Sequence, residues 1–352
     1  MPQPFISDFN PVRIVFGRGT LSRVAEEIRG LGASRALVLS TPFQKDDAER
    51  LAGSLGGLAA GVFAEAAMHT PVEVTERAMA IFAECGADSV VALGGGSTIG
   101  LGKAIAYRND CPQIAVATTY AGSEVTPILG QTEKGIKTTL RDLRVLPEVV
   151  IYDPDLTVGL PVAMSVTSAL NAMAHAVEAV YARDRNPVSS LQAVEGTRAL
   201  RDALPAIVKN PADMEARGDA LYGSWLCGTV LGTVGMALHH KLCHTLGGSF
   251  DLPHAETHAI LLPHTAAYNA EAATGELKDL AALFGGEIGG GLWDFAEGLG
   301  APLALKALGL AETDLDRAAD LAVKNPYWNP RPVEHAAIRE LLQCAWEGMR
   351  PE

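Results

Sequence analysis

Through the first 150 positions, short runs of apolar and β-branched residues alternate with longer amphipathic stretches. Residues 35–40 read as a strand and 46–55 as a helix; residues 61–64 read as a short strand and 75–85 as a helix. A strand over 89–93, a glycine turn, a helix to about Tyr107 and a strand over 113–117 follow, and the series ends on a strand over 148–152. Strands apolar on both faces and separated by helices predict a parallel sheet covered on both sides. Beyond Pro161 the pattern changes to apolar residues at helical spacing over 165–181, 189–207, 213–242 and 336–349, with no convincing strand. The expected architecture is an α/β N-terminal dinucleotide-binding domain with a parallel sheet over residues 1–160, followed by an all-α C-terminal domain over 161–352. The glycine-rich residues 285–291 predict a loop.

Length and composition narrow the class. A chain of 352 residues, 48% hydrophobic and 20% charged, is large enough for two buried cores and has the make-up of a globular enzyme. A net charge of −13 disfavours nucleic acid or an anionic membrane as partner, so an anionic small substrate would need a local basic cluster. Five cysteines without a CxxC pair fit reduced thiols, and the N-terminus has no basic, apolar leader, so a cytoplasmic location is expected. No apolar run reaches the roughly 20 residues that span a bilayer.

Two turns carry the dinucleotide expectation. Gly94, Gly95, Gly96 and Ser97 join a strand to a helix, where bare backbone amides and a helix N-terminus suit a pyrophosphate. The run is not a GxGxxG fingerprint, and taken alone it fits an ordinary tight turn as well. A second turn after the next strand offers Thr118, Thr119 and Ser123 on the same sheet edge, where parallel sheets take their ligands. Lys103 and Lys137 are candidates for the phosphates or ribose, each with a solvated lysine as the plainer reading.

Six of the nine histidines, His239, His240, His244, His254, His258 and His264, fall within 26 positions of a helical region. His240 and His244 share a helix face by their spacing of four, as do Asn171 and His175. This is the pattern of a site gripped between helices. His69 and His335 suit ordinary packing or surface roles, and His239, His258 and His264 stay ambiguous.

Taken in order, these motifs resemble the iron-containing alcohol dehydrogenase superfamily, with its dehydroquinate synthase-like fold. The Gly-Gly-Gly-Ser turn, the Thr118-Thr119 turn, the Asp153-Pro154 junction and the Leu-Pro-His stretch at 262–264 all appear in their expected sequence. The resemblance implies metal-ligand positions at Asn171, His175, His240 and His254, with His244 matching a further active-site histidine. The superfamily's aspartate is an amide here, which implies that metal is absent. Residues 94–103, 118–124, 169–175 and 325–332 are most similar to the maleylacetate reductase family. Gly100 stands where dehydrogenases carry an aspartate, and Thr41 stands where many carry an NAD-selecting carboxylate, implying NADH or NADPH as cofactor.

That resemblance implies reduction of the C=C bond of maleylacetate, a small dianion, to 3-oxoadipate in aromatic-compound degradation, by a homodimer. It implies a catalytic set of His244, His254, His175, His240 and Lys241, and substrate contacts from Tyr120, Asn171 and Arg331. Arg141 and Arg144 are further candidates for the carboxylates. A metal-dependent alcohol or polyol dehydrogenase that tolerates Asn171 as ligand is the competing reading, and a nucleotide-binding protein without catalysis is a third.

Overall fold

The computed structural model describes residues 5, 6 and 9–352, apart from the side chains of residues 136 and 137. The chain forms two compact units, residues 9–160 and residues 161–352; Phe5 and Ile6 group with the second unit rather than with the sheet.

The first unit contains β1 (Arg13–Phe16), α1 (Val24–Gly30), β2 (Ala36–Leu39), α2 (Lys45–Leu55), β3 (Ala59–Phe63), α3 (Val72–Glu84), β4 (Ser89–Gly94), α4 (Gly96–Asn109), β5 (Gln113–Ala117), β6 (Ile128–Glu133), β7 (Ile136–Arg141) and β8 (Val149–Tyr152). Six strands form one sheet in the order β1-β8-β5-β4-β2-β3, every pair parallel. Because successive side chains of a strand face opposite sides, β2 feeds two cores. Val38 joins Val91, Val116 and Ile151 under α1 and α2, whereas Leu37 and Leu39 join Val90 and Ala92 under α3 and α4.

The connection after β2 runs outward to β3, and the one after β4 runs the other way to β5. The adjacent strands β2 and β4 therefore flank the point where the winding reverses, the place where doubly wound sheets take ligands at their carboxyl ends. β6 and β7 form a separate antiparallel hairpin, in register from Ile128↔Arg141 to Glu133↔Ile136. The hairpin is an addition to the expected elements, as is the edge strand β1.

The second unit is helical: α5 (Val162–Tyr181), α6 (Pro187–Lys209), α7 (Met214–Thr233), α8 (Leu238–Ser249), α9 (His254–Ala270), α10 (Thr274–Leu283), α11 (Ile288–Gly298), α12 (Leu315–Val323) and α13 (His335–Glu347). From Ser165 to Tyr181 α5 is buried on all sides, as a central helix must be. A core of Leu242, Leu246, Ile260, Leu261, Leu315, Ile338 and Leu342 ties α8 and α9 to α12 and α13. Among the described residues, no single helix is long and apolar enough to cross a membrane.

Two expectations are corrected. The helix expected over 213–242 breaks between α7 and α8, where the Gly235 N–H leaves the helical ladder and donates to Asp184 at 2.9 Å. The loop expected over 285–291 is real only at its start. Gly285 and Gly286 have positive φ, but residues 288–291 begin α11. A Cβ on Gly289 would stand 2.5 Å from that of Ala267 on α9, so glycine here permits close helix packing rather than marking a loop.

Candidate active site

At the switch point the predicted turns meet. The N–H of Thr118 donates to Gly94 O at 3.1 Å, and Gln44, just beyond β2, donates to Thr118 Oγ1 at 3.2 Å. A Cβ at Gly95 would lie 2.7 Å from Thr119 Cγ2, so only glycine lets the two turns close on each other. Gly96 begins α4 with open space where a side chain would be, and Ser97 follows it in the first helical turn. The hydroxyl oxygens of Ser40, Thr98 and Ser123 are buried without hydrogen-bond partners. Unmatched buried hydroxyls are uncommon in finished packing and call for a partner such as water or a ligand.

Lys103 does not serve a phosphate. Its Nζ is buried within 2.6–3.0 Å of Ser123 O, Thr126 O, Thr126 Oγ1 and Ile128 O, a strut that fixes the loop after Ser123. Burial pushes its pKa down to about 7, opposed by the charge of Glu124. Glu124 is itself raised by burial, and it accepts from the Tyr152 hydroxyl at 2.7 Å. The side chain of Lys137 lies outside the described residues. Tyr120, expected as a substrate contact, is fully buried. Arg144 is committed to Asp142 at 2.7 Å and to Tyr107 O at 3.0 Å, and Arg141 closes β7. At position 100 a Cβ would lie 2.4 Å from Thr70 Oγ1, which explains why no side chain stands there.

In the helical unit α5, α8 and α9 bring the imidazoles together. Asn171, His175 and Glu178 lie on one face of α5, and His240 on α8 faces them. Glu178 Oε2 accepts from His240 Nδ1 at 2.7 Å, and Nε2 of His240 lies 2.9 Å from His175 Nδ1. A carboxylate only accepts, so His240 carries its proton on Nδ1, and in the neutral ring Nε2 accepts from His175. The same carboxylate receives the N–H groups of Ala237 and His239 at 2.8 and 2.6 Å, capping α8. His254, the first residue of α9, stacks edge-on to His258 with ring centroids 4.4 Å apart. His264 lies deeper in α9, and burial pushes its pKa down to about 4.

At the edge of the cluster His244 Nδ1 lies 3.1 Å from the hydroxyl of Tyr327, a residue 83 positions away that sequence reasoning did not single out. Burial raises the Tyr327 pKa, and desolvation lowers that of Lys241. Lys241 donates to Lys324 O at 3.0 Å, with its ammonium 5.9 Å from the Tyr327 ring centre. Arg331 stacks on Tyr268 at 4.2 Å and donates to its carbonyl. The strap around Tyr327 is pinned by Asn329 and Asn269, whose amides pair at 2.7 and 3.0 Å. Glu178 was also missed; its spacing of seven from Asn171 was the available signal.

At the ligand positions that the family resemblance implies, the four donors are three imidazoles and a neutral amide, none of them anionic, and His175 Nδ1 and His240 Nε2 face each other at 2.9 Å. Asn171 Oδ1 is buried without a hydrogen-bond partner, a polar atom aimed at something other than protein.

Residues 11–154 match the model of the iron-containing alcohol dehydrogenases, and residues 165–346 match the C-terminal model of the same family. A maleylacetate reductase of Rhizobium sp. (strain MTP-10005) is 68% identical over 99% of this chain and 100% of its own length, and one from Burkholderia cepacia is 55% identical over 99% of both. The crystal structure of maleylacetate reductase from Agrobacterium tumefaciens superposes with a TM-score of 0.96 at 68% identity, covering 99% of this chain and all of that one. Matched along both units, the chain belongs to the iron-containing alcohol dehydrogenase family.

Proposed function

We propose that the chain reduces the carbon–carbon double bond of maleylacetate to give 3-oxoadipate, with NADH or NADPH as hydride donor. The observation that carries this reading is the imidazole cluster with an amide at position 171, in a chain 68% identical to a maleylacetate reductase. Hydride from the nicotinamide adds to the carbon β to the ketone, the electron pair moves to the ketone oxygen as an enolate, and a proton then reaches the neighbouring carbon. The sheet unit holds the dinucleotide through Gly94, Gly95, Gly96, Ser97, Thr118, Thr119 and Ser123, with Lys137 as a further candidate.

The helical unit supplies donors for the enolate and the proton. His244, backed by the Tyr327 hydroxyl at 3.1 Å, is the donor pair open to substrate, and His254 is the second imidazole donor. The row His175, His240 and Glu178 orients the cluster from behind. Lys241 and Arg331 supply positive charge for the substrate carboxylates, and Asn171 Oδ1 accepts from substrate or from a bound water. This chemistry needs no Lewis acid, and we infer that the reaction runs without a resident metal. Thr41 in place of an acidic residue beyond β2 supports use of both cofactors. The five free cysteines suit a reducing cytosol, and a homodimer is the assembly we propose from the family resemblance.

Oxidation of NADH and of NADPH is followed on freshly prepared maleylacetate, and product is identified as 3-oxoadipate. His244→Ala should lower kcat by at least about 100-fold, in the range general acid catalysis contributes, and Tyr327→Phe by a smaller factor of about 10. Unchanged turnover in both, or reduction of simple aldehydes that is lost on chelation, would return the reading to a metal-dependent dehydrogenase.

A further inference from the structure

Behind the row that orients the catalytic imidazoles lies a second group with the chemistry of a soft-metal site. His239 and Cys243 are four apart on α8, and His258 faces them from α9; one ligand atom from each falls within 4.8 Å of the others, and all three residues are buried. His239 Nε2 lies 2.9 Å from His258 Nδ1 and 3.5 Å from Cys243 Sγ. An ion bound at about 2.0–2.1 Å from nitrogen and about 2.3 Å from sulfur bridges separations of this size.

The orientation of His239 is a second, independent sign. Its Nδ1 lies 2.9 Å from Thr265 Oγ1, and that hydroxyl gives its own hydrogen to Leu261 O at 2.9 Å. The threonine oxygen is therefore an acceptor, His239 carries its proton on Nδ1, and its Nε2 lone pair points into the trio. Metal-binding histidines are held this way, with the far nitrogen donated to an outer oxygen. His258 adds a buried Nε2 that no group satisfies, so its ring is free to exchange tautomers without breaking another bond.

The geometry points to a binding site for a thiophilic cation of the zinc class at His239, Cys243 and His258, distinct from the family's iron position. Binding a divalent ion here releases the Cys243 thiol proton and moves the His258 proton from Nδ1 to Nε2. The thiolate and the nearby Glu178 carboxylate, which accepts from the His239 N–H, together offset the two positive charges. A softer, anionic donor is present here, whereas the donor set around Asn171 has none. The ion would clamp α8 to α9 and so hold the helices that carry His240, His244 and His254.

The test uses the full-length protein stripped with chelator and titrated with cobalt(II) as the spectroscopic probe, then with zinc. Expected are one equivalent bound, a thiolate-to-cobalt charge-transfer band in the near ultraviolet, displacement of that band by zinc, and a higher thermal midpoint on loading. Cys243→Ser and His258→Gln should each weaken cobalt binding at least tenfold and Cys243→Ser should abolish the band, while His254→Ala keeps it. Absence of the band in the parent protein, its survival in Cys243→Ser, or its loss in His254→Ala overturns the site. Should the Cys243 and His258 variants fail to fold, X-ray absorption on the zinc-loaded parent decides. One sulfur at about 2.3 Å supports the site, and a shell of nitrogen and oxygen alone overturns it.

Discussion

Glu178 holds His240: its Oε2 lies 2.7 Å from the ring's Nδ1, and both partners are buried in the helical unit. The same side chain receives the N–H groups of Ala237 and His239, so one carboxylate both starts α8 and sets the tautomer of an imidazole in the cluster. Position 171 carries an amide, and one turn beyond His175 the Glu178 carboxylate is aimed at His240.

Replacing Glu178 by alanine leaves two backbone donors and a ring N–H unsatisfied in the interior. Each such loss costs about 1–3 kcal/mol, so a drop of at least about 3 kcal/mol in unfolding free energy is expected by urea titration. Glu178→Gln keeps the shape but offers one acceptor oxygen for three donors. It should unfold more readily than the parent, and its kcat should fall more than its KM rises, because His240 is no longer held in one tautomer. Parent-like stability in both variants would show that the contacts are incidental.

Closure of the two nucleotide turns gives the second prediction. A methyl group at position 95 would stand 2.7 Å from Thr119 Cγ2 and 2.9 Å from its Oγ1, so Gly95→Ala must push the turns apart. Dinucleotide affinity should fall by about tenfold or more, a loss of about 1.4 kcal/mol, with the fold retained. Titrating NADH against the intrinsic fluorescence of the protein reads this directly, and an unchanged dissociation constant would remove these turns from the binding site.

The third concerns acid. His264 is neutral in the folded protein because burial pushes its pKa down to about 4, against an ordinary value near 6.5. Between those values the unfolded chain binds the proton and the folded chain does not, so stability present above about pH 6.5 is lost as pH falls toward 4. The loss from this one group amounts to about 2 kcal/mol by pH 5. Unfolding midpoints at pH 7.5 and pH 5 should therefore separate more for the parent than for His264→Asn. Equal separations would mean that His264 takes up its proton without cost.

Much of this was legible in the residues. The strands β2, β4, β5 and β8 are buried along their whole length, so their apolar runs announced themselves. The hairpin did not: β6 and β7 break up Ile128, Leu129, Ile136 and Leu140 with Gln131, Thr132, Thr138 and Thr139, so no continuous apolar run marks them. The sharp turn at Lys134 and Gly135, with φ of 50° and 77°, was the only local sign. Crowding of the histidines revealed the cluster. Which imidazole meets which partner could not be read, because His175 and His240 are 65 positions apart, and His244 and Tyr327 are 83 apart. Lys103 misled for a related reason, since its carbonyl partners lie in a loop whose path the sequence does not display.

The amide at position 171 allows the dehydrogenase reading to be tested from the opposite side. Asn171 is 4% exposed, so Asn171→Asp places a carboxylate in the interior beside His175 without altering shape. Without a counter-charge that anion is strongly disfavoured, and the stripped variant should be less stable than the parent by about 3 kcal/mol or more. An iron(II) ion would supply the missing positive charge and recruit the imidazoles, so anaerobic addition of iron should restore the midpoint of the variant while leaving the parent less affected. Metal analysis should find close to one more iron per chain in the variant than in the parent. Once the ion draws the nitrogens of His175 and His240 to itself, reduction of maleylacetate should decline, since the donors that serve the enolate are then held by metal. Equal iron content in the two proteins, with equal activity, would show that the amide is not what separates this site from the metal-dependent members of its family.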